Sequence, residues 1–446
     1  MSIPVTDSVA EWTQALKSQN LKYLRFEFPD LHGVSRSKLI PINHVESYTR
    51  KGLNLYGGTL GLDTASLLVS ESGLHQQLNF RDGVITPDLE TLTPIPWLEN
   101  TAKVICDPEW SFGVPIRSAP RYVLKMVLQE AADLGFDVLM GHEFEFYLLD
   151  KETRAPLFDG VHVFNTTRNQ YLPIIDQLLS YLEESGIDVI THNSEYGPSQ
   201  MEINYAPAIG MKAADRAFTF KNAVKEVCHR AGYLATFMAK PFTENLGCGC
   251  HVHICLLNRE TGQNAFLDLN DKDGLSVTAK AFIQGILDHG PAMMPLMSPT
   301  PNCYRRYLPP SFVSSYSGWG IEDRSAMVRV KATYDECTHI EMRAASSISN
   351  PYLSAAATIA AGLLGIKQKR ELQPPIQGQG LQENLNHQKL PQTLEEALDA
   401  ITADADMQEM LGDELVRIFC AVKRSELARF YRHVTDWEKN EYMEIY

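Results

Sequence analysis

The sequence lacks the features that mark a secreted, disulfide-bonded or membrane-spanning chain. Its eight cysteines have no regular spacing, which favours reduced thiols and a cytoplasmic protein over a disulfide framework. The opening residues, MSIPVTDSVAEW, have neither the basic start nor the apolar core of a secretory signal. The longest nearly apolar run, Tyr352 to Ile366, is shorter than the roughly 20 residues that span a bilayer. We expect no membrane partner, and the small side chains of this run predict a close-packed core helix.

Basic charge is also scarce. The chain has 40 lysines and arginines against 55 aspartates and glutamates, and this net charge of −15 argues against a nucleic-acid partner. Neither a GxxxxGK[ST] phosphate loop nor a Rossmann fingerprint is found, so any nucleotide must be held in another way. The 446 residues, 44% of them hydrophobic, predict a globular protein of two or three domains.

Turn and periodicity signals predict an α+β chain in two units. The first unit, residues 1–105, combines a helix near its start with strands and loops broken by glycine and proline. The second, residues 112–446, alternates strands with longer helices and becomes mostly helical towards its end. The segment RELQPPIQGQGLQENLNHQKLPQT, which begins at Arg370, predicts an exposed loop.

Two carboxylates stand one residue apart inside the apolar strand pattern GHEFEFYLL. Glu143 and Glu145 project from the same face of a strand, because side chains alternate with a period of two. Two like charges at this spacing in apolar surroundings need a cation between or beside them. An exposed strand face or an ordinary ion pair is the alternative explanation for any single pair of this kind.

Three further segments repeat the pattern of two polar residues on one strand face or across a turn. The residues concerned in SEYGPSQMEINY, GCGCHVHIC and THIEMRAA are Glu195 and Glu202, His251 and His253, and Glu341 and Arg343. Several carboxylates with one or two imidazoles suit hard divalent ions such as Mg²⁺ or Mn²⁺. Two such ions would neutralise most of the cluster, and the fourfold recurrence favours this shared metal site over unrelated exposed faces.

Cysteines near the histidine pair raise zinc as an alternative. Cys248, Cys250 and Cys255 flank His251 and His253, but they lack CxxC spacing and a second ligand cluster further along the chain. Small residues that allow the backbone to approach a ligand explain GCGC better.

Arginines are concentrated in NCYRRYLPPSFVSSYSGWGIEDRSAMVRV. Arg305, Arg306, Arg324 and Arg329 provide planar donors that match carboxylate and phosphate oxygens. Next to an acidic metal site they favour phosphoryl transfer from ATP, in which positioning and charge neutralisation do most of the work. A solvated basic loop is the alternative.

Together these motifs resemble the glutamine synthetase family of the bacterial type, nearly from end to end. The matching patterns are GxExEF at 141–146, ExxPxQxE at 195–202, GxGxHxH at 247–253, and ExR with NPYL at 341–353. The resemblance implies a β-grasp-like N-terminal domain and a catalytic domain whose antiparallel strands form an active-site funnel flanked by helices. It also implies a homo-oligomer, usually a dodecamer of two stacked hexamers, with active sites between neighbouring subunits.

The resemblance also implies a role for each matching residue. One metal would be held by Glu145, Glu195 and Glu202, and the other by Glu143, His251 and Glu341. Arg306, Arg343 and Gly247 would bind the amino-acid substrate, whereas His253, Arg324 and Arg329 would bind ATP. Arg324 would act in catalysis, and LDTAS would present Asp63, with Ser66 nearby, to the ammonium site of the adjoining subunit. For this last match, a loop without function is an equal alternative.

One departure from the family concerns the attacking amine. Glutamine synthetases have a glutamate six residues after the position of Arg306, where this chain has Phe312. A phenyl ring does not attract ammonium, but it packs against an alkyl or aryl group. We therefore expect glutamate to be joined to a larger amine, as in γ-glutamyl-polyamine or -alkylamide synthetases. Glutamine synthetase proper and a non-enzymatic, lengsin-like structural protein are the alternatives, and the presence of all six metal-ligand candidates favours an enzyme.

Overall fold

A computed structural model describes residues 9–160, 163–169, 172–308, 311–376 and 387–446. Its helices are α1 (Val9–Ser18), α2 (Ile42–Lys51), α3 (Pro120–Asp133), α4 (Thr166–Asn169), α5 (Pro173–Glu184), α6 (Met211–Arg230), α7 (Val277–Asp288), α8 (Gly290–Met297), α9 (Pro351–Lys367), α10 (Leu394–Ala403), α11 (Ala405–Leu411), α12 (Asp413–Tyr431) and α13 (Asp436–Tyr442). Its strands are β1 (Tyr23–Pro29), β2 (Ser35–Pro41), β3 (Leu53–Tyr56), β4 (Asp82–Pro94), β5 (Thr101–Ser111), β6 (Val114–Pro115), β7 (Phe136–Asp150), β8 (Val189–Ser194), β9 (Gln200–Tyr205), β10 (Ala208–Ile209), β11 (Tyr233–Thr236), β12 (Cys250–Asn258), β13 (Trp319–Ile321), β14 (Val328–Lys331) and β15 (His339–Met342). The α+β class expected from the sequence is confirmed.

The N-terminal part of the described chain forms a mixed sheet in the order β2-β1-β5-β4-β3, with β6 added beside β5. β1 runs parallel to β5, and its other neighbour, β2, is antiparallel. β4 is a long strand, although its prolines predicted only short pieces. Pro87 and Pro94 lie beyond the stretch of β4 that pairs with β3, so among the described strands they are paired only with β5, and a strand with one unpaired edge tolerates proline.

The second sheet carries the residues that the sequence singled out. Its order is β13-β14-β15-β12-β7-β9-β8, and β10 and β11 also pair with β7. The pairings are antiparallel except that between β13 and β14. This is the mainly antiparallel arrangement that the sequence led us to expect.

Helices cover one face of this second sheet. α6 packs on β7, where the ring centroids of Phe220 and Phe144 are 5.9 Å apart. α9 is buried nearly throughout, as its small residues predicted. It crosses α7 so closely that a Cβ at Gly285 would lie 2.2 Å from the carbonyl oxygen of Ala361. Among the described helices, none combines the length and the apolar content needed to cross a bilayer.

One continuous core of buried side chains joins the two sheets. By strand pairing, the first sheet extends past residue 105, because β5 continues to Ser111 and β6 pairs with it. The division into units of 1–105 and 112–446 stays a prediction. The predicted loop after Arg370 falls in part outside the described residues, since 377–386 are not among them.

Candidate active site

Alternation along β7 separates a buried face from a face that is open to a cavity. Met140, His142 and Phe144 are buried on one face, whereas Glu143 and Glu145 point to the other. The hydrophobic side chains thus anchor the strand and hold both carboxylates in one direction. The arrangement is the one that the i, i+2 pattern predicted.

Strand register brings the other polar residues to the same face. His251 on β12 lies opposite Glu143 on β7, and Glu202 on β9 lies opposite Glu145. On the far side of β12, Glu341 of β15 is paired with His253, and Arg329 of β14 is paired with Glu341. Directly opposed residues on antiparallel strands have Cβ atoms about 5 Å apart, so a row of polar side chains crosses five adjacent strands.

These side chains line a cavity of about 490 Å³. The predicted site residues that line it are Glu143, Glu145, Glu195, Glu202, Gly247, His251, His253, Arg306, Phe312, Arg324, Arg329, Glu341 and Arg343. Residues from five segments far apart in sequence therefore meet in one place. Their individual roles stay predictions.

One side of the cavity holds a compact group suited to a metal ion. Single candidate ligand atoms of Glu143, His253 and Glu341 lie within 4.8 Å of one another. His251 is equally close: its Nδ1 is 2.9 Å from Oε1 of Glu143 and 3.3 Å from Oε1 of Glu341. The resemblance gave His251 to the metal and His253 to ATP, and the geometry leaves both imidazoles within reach of the same carboxylates.

The other side of the cavity holds three more carboxylates with amide partners. Oε2 of Glu145 accepts hydrogen bonds from the backbone N–H of Gly249 (2.9 Å) and from Nε2 of Gln200 (3.0 Å). Asn193 donates to Oε1 of Glu195 at 2.9 Å, and Asn204 donates to Oε1 of Glu202 at 3.0 Å. Each carboxylate keeps an oxygen that is free of these bonds and that can reach a ligand.

The two sides of the cavity differ in electrostatics. Burial and then the neighbouring carboxylates raise the pKa of Glu195 to about 7 and that of Glu202 to about 10. Burial also opposes ionisation of Glu143 and Glu341, but the interactions with His251 and His253, and for Glu341 also with Arg343, outweigh it. The pKa of Glu143 is therefore well below its usual value, and that of Glu341 is about 2.

This donor set fits hard divalent cations. Oxygen ligands with a minority of imidazole nitrogen suit Mg²⁺ and Mn²⁺. A cation among Glu145, Glu195 and Glu202 would offset the repulsion that raises the pKa values there. The cysteines do not fit the zinc alternative, because Cys248, Cys250 and Cys255 are buried and do not line the cavity.

Arginines provide the opposite charge around the same cavity. Nη1 of Arg306 donates to the carbonyl oxygen of Ala345 (3.1 Å) and to Oγ of Ser346 (2.9 Å), which holds this buried side chain in place. Nη1 of Arg329 is 2.9 Å from Oε2 of Glu341, and Arg343 pairs with the same carboxylate. The Nε atoms of Arg329 and Arg343 are buried without a partner among the described residues.

Glycine is required where the loop before β12 meets Arg306. A Cβ at Gly247 would lie 2.4 Å from the carbonyl oxygen of Ala239 and 2.5 Å from Cγ of Arg306. The carbonyl oxygen of Gly247 accepts a hydrogen bond from Gln200 at 3.2 Å. The loop therefore passes between the acidic strands and the arginine with no space for a side chain.

Two predicted residues lie apart from the polar centre. Phe312 is at the rim, half exposed, and its ring centroid is 5.5 Å from that of Tyr196. Asp63 does not line the cavity in this single chain: its Oδ2 is 2.9 Å from Nη1 of Arg429, and its Oδ1 accepts from the N–H groups of Ala65 and Leu67. Its assignment to a neighbouring subunit's site stays a prediction.

Sequence reasoning missed several residues that line the cavity or support it. Asn193 precedes Glu195 by two residues and Asn204 follows Glu202 by two, so the i, i+2 rule already contained the signal for both. Gln200 belongs to the quoted ExxPxQxE pattern, but its contact with Glu145 depends on strand pairing. Tyr196 and Lys240 also line the cavity, and no periodicity marks them.

Comparison with known proteins gives a consistent result. The family model described as "Glutamine synthetase, catalytic domain" matches residues 117–442. The glutamine synthetase of Thermus thermophilus is 33% identical over 458 residues, which cover 98% of this chain and 99% of that protein. Lengsin of Canis lupus familiaris is 31% identical over 458 residues, covering 100% of this chain and 78% of lengsin.

Solved structures show the same fold. A GmaS/ADP complex is 28% identical and superposes with a TM-score of 0.85, covering 97% of this chain and 99% of the other. GmaS without ligand is 29% identical and has a TM-score of 0.84 at the same coverage. Enzymes of the matched family use ATP and divalent metal ions, in agreement with the donor set described above. The match across most of the chain, together with the convergence of acidic, imidazole and guanidinium groups in one cavity, shows that this chain belongs to the glutamine synthetase family.

Proposed function

We propose that the chain is an ATP-dependent ligase that joins the γ-carboxylate of L-glutamate to an alkyl-, aryl- or polyamine in preference to ammonia. The observation that carries this proposal is Phe312 at the rim of the cavity, paired with Tyr196, where glutamine synthetases have a glutamate. An apolar ring at this position favours an amine that carries a carbon substituent. The similarity to GmaS supports an amine ligase as well.

The chemistry has two steps. A γ-carboxylate oxygen of glutamate attacks the γ-phosphorus of ATP, the bond to the β,γ-bridging oxygen breaks, and ADP leaves. The nitrogen lone pair of the amine then attacks the acyl carbon of the γ-glutamyl phosphate, phosphate leaves, and the nitrogen loses a proton. Water has to be kept from the acyl phosphate, because hydrolysis would waste it.

The residues of the cavity match the charges of this reaction. Arg306 and Arg343 would bind the carboxylates of glutamate, with Gly247 allowing a close approach, whereas His253, Arg324 and Arg329 would bind ATP. Two divalent ions, held by Glu145, Glu195 and Glu202 and by Glu143, His251 and Glu341, would neutralise phosphate charge. Arg324 would stabilise the transferred phosphoryl group. Asp63 would act from the adjoining subunit on the attacking amine.

The second candidate function is glutamine synthesis from ammonia, which the similarity to the glutamine synthetase of Thermus thermophilus favours. The third is a structural role without catalysis, which the lengsin relatives favour. Against the structural role, all six candidate metal ligands are present and line one cavity. A structural protein has no need to retain a cluster of buried carboxylates whose mutual repulsion costs stability.

We further propose that the chain forms a homo-oligomer, namely the dodecamer that the family resemblance implies. Its mass would be about 600 kDa, twelve times the 50.1 kDa of the chain. The end of the described chain exposes large apolar side chains that association would bury, namely Phe430, Tyr431, Val434, Trp437, Met443 and Ile445. The eight free cysteines are consistent with a reducing, cytoplasmic location. Light scattering during gel filtration would measure the mass.

An amine screen tests the proposed function. Phosphate release is measured with ATP, glutamate and Mn²⁺ in the presence of ammonia or of alkyl-, aryl- and polyamines. Mass spectrometry identifies the amide product by its mass. We expect kcat/KM to be at least tenfold higher for an organic amine than for ammonia. Highest turnover with ammonia would reject the proposal in favour of glutamine synthetase proper, and no turnover with any amine would favour a structural protein.

A substitution at the rim sharpens the test. Phe312→Glu restores the acidic residue of glutamine synthetases and should shift the ratio of kcat/KM towards ammonia, because a carboxylate attracts ammonium. Phe312→Gln is the uncharged control of equal size and should not favour ammonia. Equal ratios for the two variants would mean that charge at this position does not select the amine.

A further inference from the structure

Tyr196 and Phe312 form an aromatic pair between the part of the cavity predicted to bind metal ions and the part predicted to bind glutamate. Tyr196 directly follows Glu195, a predicted metal ligand, and Phe312 lies six residues after Arg306, a predicted glutamate ligand. The ring centroids are 5.5 Å apart with the planes inclined by 51°, a favourable geometry for aromatic contact. The two rings thus connect the edges of the metal side and the substrate side.

Hydrogen bonds and close packing restrain the backbone next to both aromatic residues. On the Tyr196 side, the backbone N–H of Glu195 donates to the carbonyl oxygen of Gln200 at 2.8 Å, and that of Gly197 donates to Oε1 of Gln200 at 2.8 Å. A Cβ at Gly197 would lie 2.0 Å from the hydroxyl oxygen of Tyr147, so this turn packs directly on β7. The position of Tyr196 is therefore determined by the same strands that hold the carboxylates.

The Phe312 side is tied to the substrate arginine. Oγ of Ser311 donates to the carbonyl oxygen of Arg306 at 2.5 Å and accepts from the N–H of Val313 at 3.0 Å. Arg306 itself is fixed by Ala345 and Ser346. The phenyl ring is thus held at a set distance from the residue predicted to bind glutamate.

Both aromatic side chains remain available to a ligand. Tyr196 is 43% exposed and Phe312 is 53% exposed, although both line the cavity. Large apolar surface kept open beside a polar site is a recognition feature, because burying it against a ligand is favourable. The rings can make apolar contacts with the carbon atoms of an organic amine, and ammonia has no carbon atoms to make such contacts.

Charged side chains make up most of the rest of the cavity lining. Among the described residues that line it, the acidic ones are Glu143, Glu145, Glu195, Glu202 and Glu341, and the cationic ones are Lys240, Arg306, Arg324, Arg329, Lys331 and Arg343. Arg329 and Lys331 are in turn paired with Glu322, at 2.5 Å and 3.1 Å. The aromatic pair thus offers apolar surface in a cavity whose lining is largely charged.

We infer that Tyr196 and Phe312 together form the subsite for the acceptor's substituent and that they favour primary amines with a longer apolar chain over methylamine and ammonia. The inference rests on the proposed function and narrows its amine class. Tyr196 is a specificity-determining residue, because its ring supplies, with that of Phe312, the apolar surface that the amine's carbon chain covers.

The test compares ratios of kcat/KM between amines within each variant, so that differences in folded fraction or glutamate binding cancel. The series consists of ammonia, methylamine, ethylamine, n-propylamine and n-butylamine, with the full-length protein, ATP, glutamate and Mn²⁺. In the unsubstituted protein we expect kcat/KM to rise about fourfold for each added methylene.

Substitutions separate the aromatic subsite from a general effect. Tyr196→Ala and Phe312→Ala should each reduce the butylamine-to-methylamine ratio by about tenfold, whereas Tyr196→Phe, which keeps the ring, should preserve it. Phe112→Ala removes a similarly exposed phenyl ring that does not line the cavity and should leave the ratio unchanged. Thermal melting of each variant confirms that the folded protein is being compared.

The possible results distinguish this inference from the function beneath it. If ammonia exceeds every amine, the proposed function fails and the subsite fails with it. If organic amines are preferred but neither alanine variant changes the ratio, the aromatic subsite is wrong and the ligase function stands.

Discussion

Individual carboxylates in the cavity have opposite protonation tendencies although they are neighbours. Glu341 and Glu143 are stabilised as anions by their interactions with His251 and His253, and Glu341 also by Arg343, whereas Glu195 and Glu202 are destabilised as anions by burial and by other carboxylates. Without a cation, the second pair retains protons near neutral pH. Binding of a metal ion in the cavity is therefore coupled to the release of protons from these carboxyl groups.

This coupling predicts how stability depends on pH. The pKa of Glu202 is about 10 in the folded chain, well above the ordinary glutamate value of 4.5, so between these pH values the metal-free folded protein holds a proton that the unfolded chain has lost. Its free energy of unfolding therefore falls as pH rises through this window. For metal-free protein we expect the Tm to fall between about pH 6 and pH 8.5, by less in Glu202→Gln than in the unsubstituted protein.

A metal ion should reverse the trend. Mn²⁺ requires ionised carboxylates, so it releases protons on binding and raises the Tm more at about pH 8.5 than at about pH 6. Glu90→Gln, at an exposed glutamate outside the cavity, is the matched control and should follow the unsubstituted protein. An Mn²⁺ effect that does not depend on pH would contradict a proton-for-metal exchange at Glu195 and Glu202.

Each strand or loop carries only one or two of the polar groups of the site. The way these elements pack together therefore determines the geometry of the site. β7 contributes two carboxylates, β12 contributes two imidazoles, and β15 contributes Glu341, and their register places these side chains side by side. The loop before β12 fits between them only because it has glycine at its tightest point. The precision of the site thus depends on backbone packing as much as on side-chain identity.

Substitution of this glycine tests the dependence. In Gly247→Ala the new methyl group meets the backbone oxygen of Ala239, which does not move independently, and the stem of Arg306. We expect a loss of about 1–3 kcal/mol in the free energy of unfolding and a rise in KM for glutamate on the order of 10- to 100-fold. Denaturant titration and initial-rate kinetics measure the two effects.

Gly141→Ala provides the comparison on β7. Its Cβ would be 3.5 Å from the nearest atom, in Pro207, which is an ordinary contact. A small effect on KM is expected there. Similar losses in both variants would show that glycine is needed for general reasons and not for the approach to Arg306.

The two sheets are joined into one molecule by a buried cluster of charges as well as by the common core. Arg121 on α3 is almost fully buried and makes paired hydrogen bonds of 2.9 Å to both carboxylate oxygens of Asp215 on α6. The same guanidinium contacts Asp88 and Asp107, which belong to β4 and β5 of the first sheet. Tyr352 on α9 donates a further hydrogen bond of 2.8 Å to Asp215.

Loss of this arginine should weaken the whole molecule. Arg121→Met leaves three carboxylates without their shared cation, and removal of one member of a buried ionic network costs about 3–5 kcal/mol. Arg50→Met breaks an exposed pair with Glu46 and should cost less than about 1 kcal/mol. Urea titration monitored by circular dichroism compares them. Equal midpoints for the two variants would show that the buried cluster does not hold the sheets together.

Local sequence patterns predicted much of the architecture and most of the site. The period of two in GHEFEFYLL and CHVHIC identified strands with one polar face, and apolar runs of small residues identified α9 as a buried helix. These properties follow from backbone geometry within a single element, so a short segment contains all the information needed. The family motifs then named the cavity residues before their positions were known.

Contacts between distant segments required the folded chain. Whether Glu143 faces His251, whether Gln200 reaches Glu145, and whether Tyr196 meets Phe312 depend on strand register and loop packing over separations of 55 to 116 residues. No local period encodes such distances, because they result from how the whole core packs. The amino-acid sequence by itself thus determines the residue types and the strand or helix faces on which they lie. The meeting of those faces around one cavity, with an aromatic pair at its rim and Asp63 outside it, arises only when two sheets and their helices have closed on a common core.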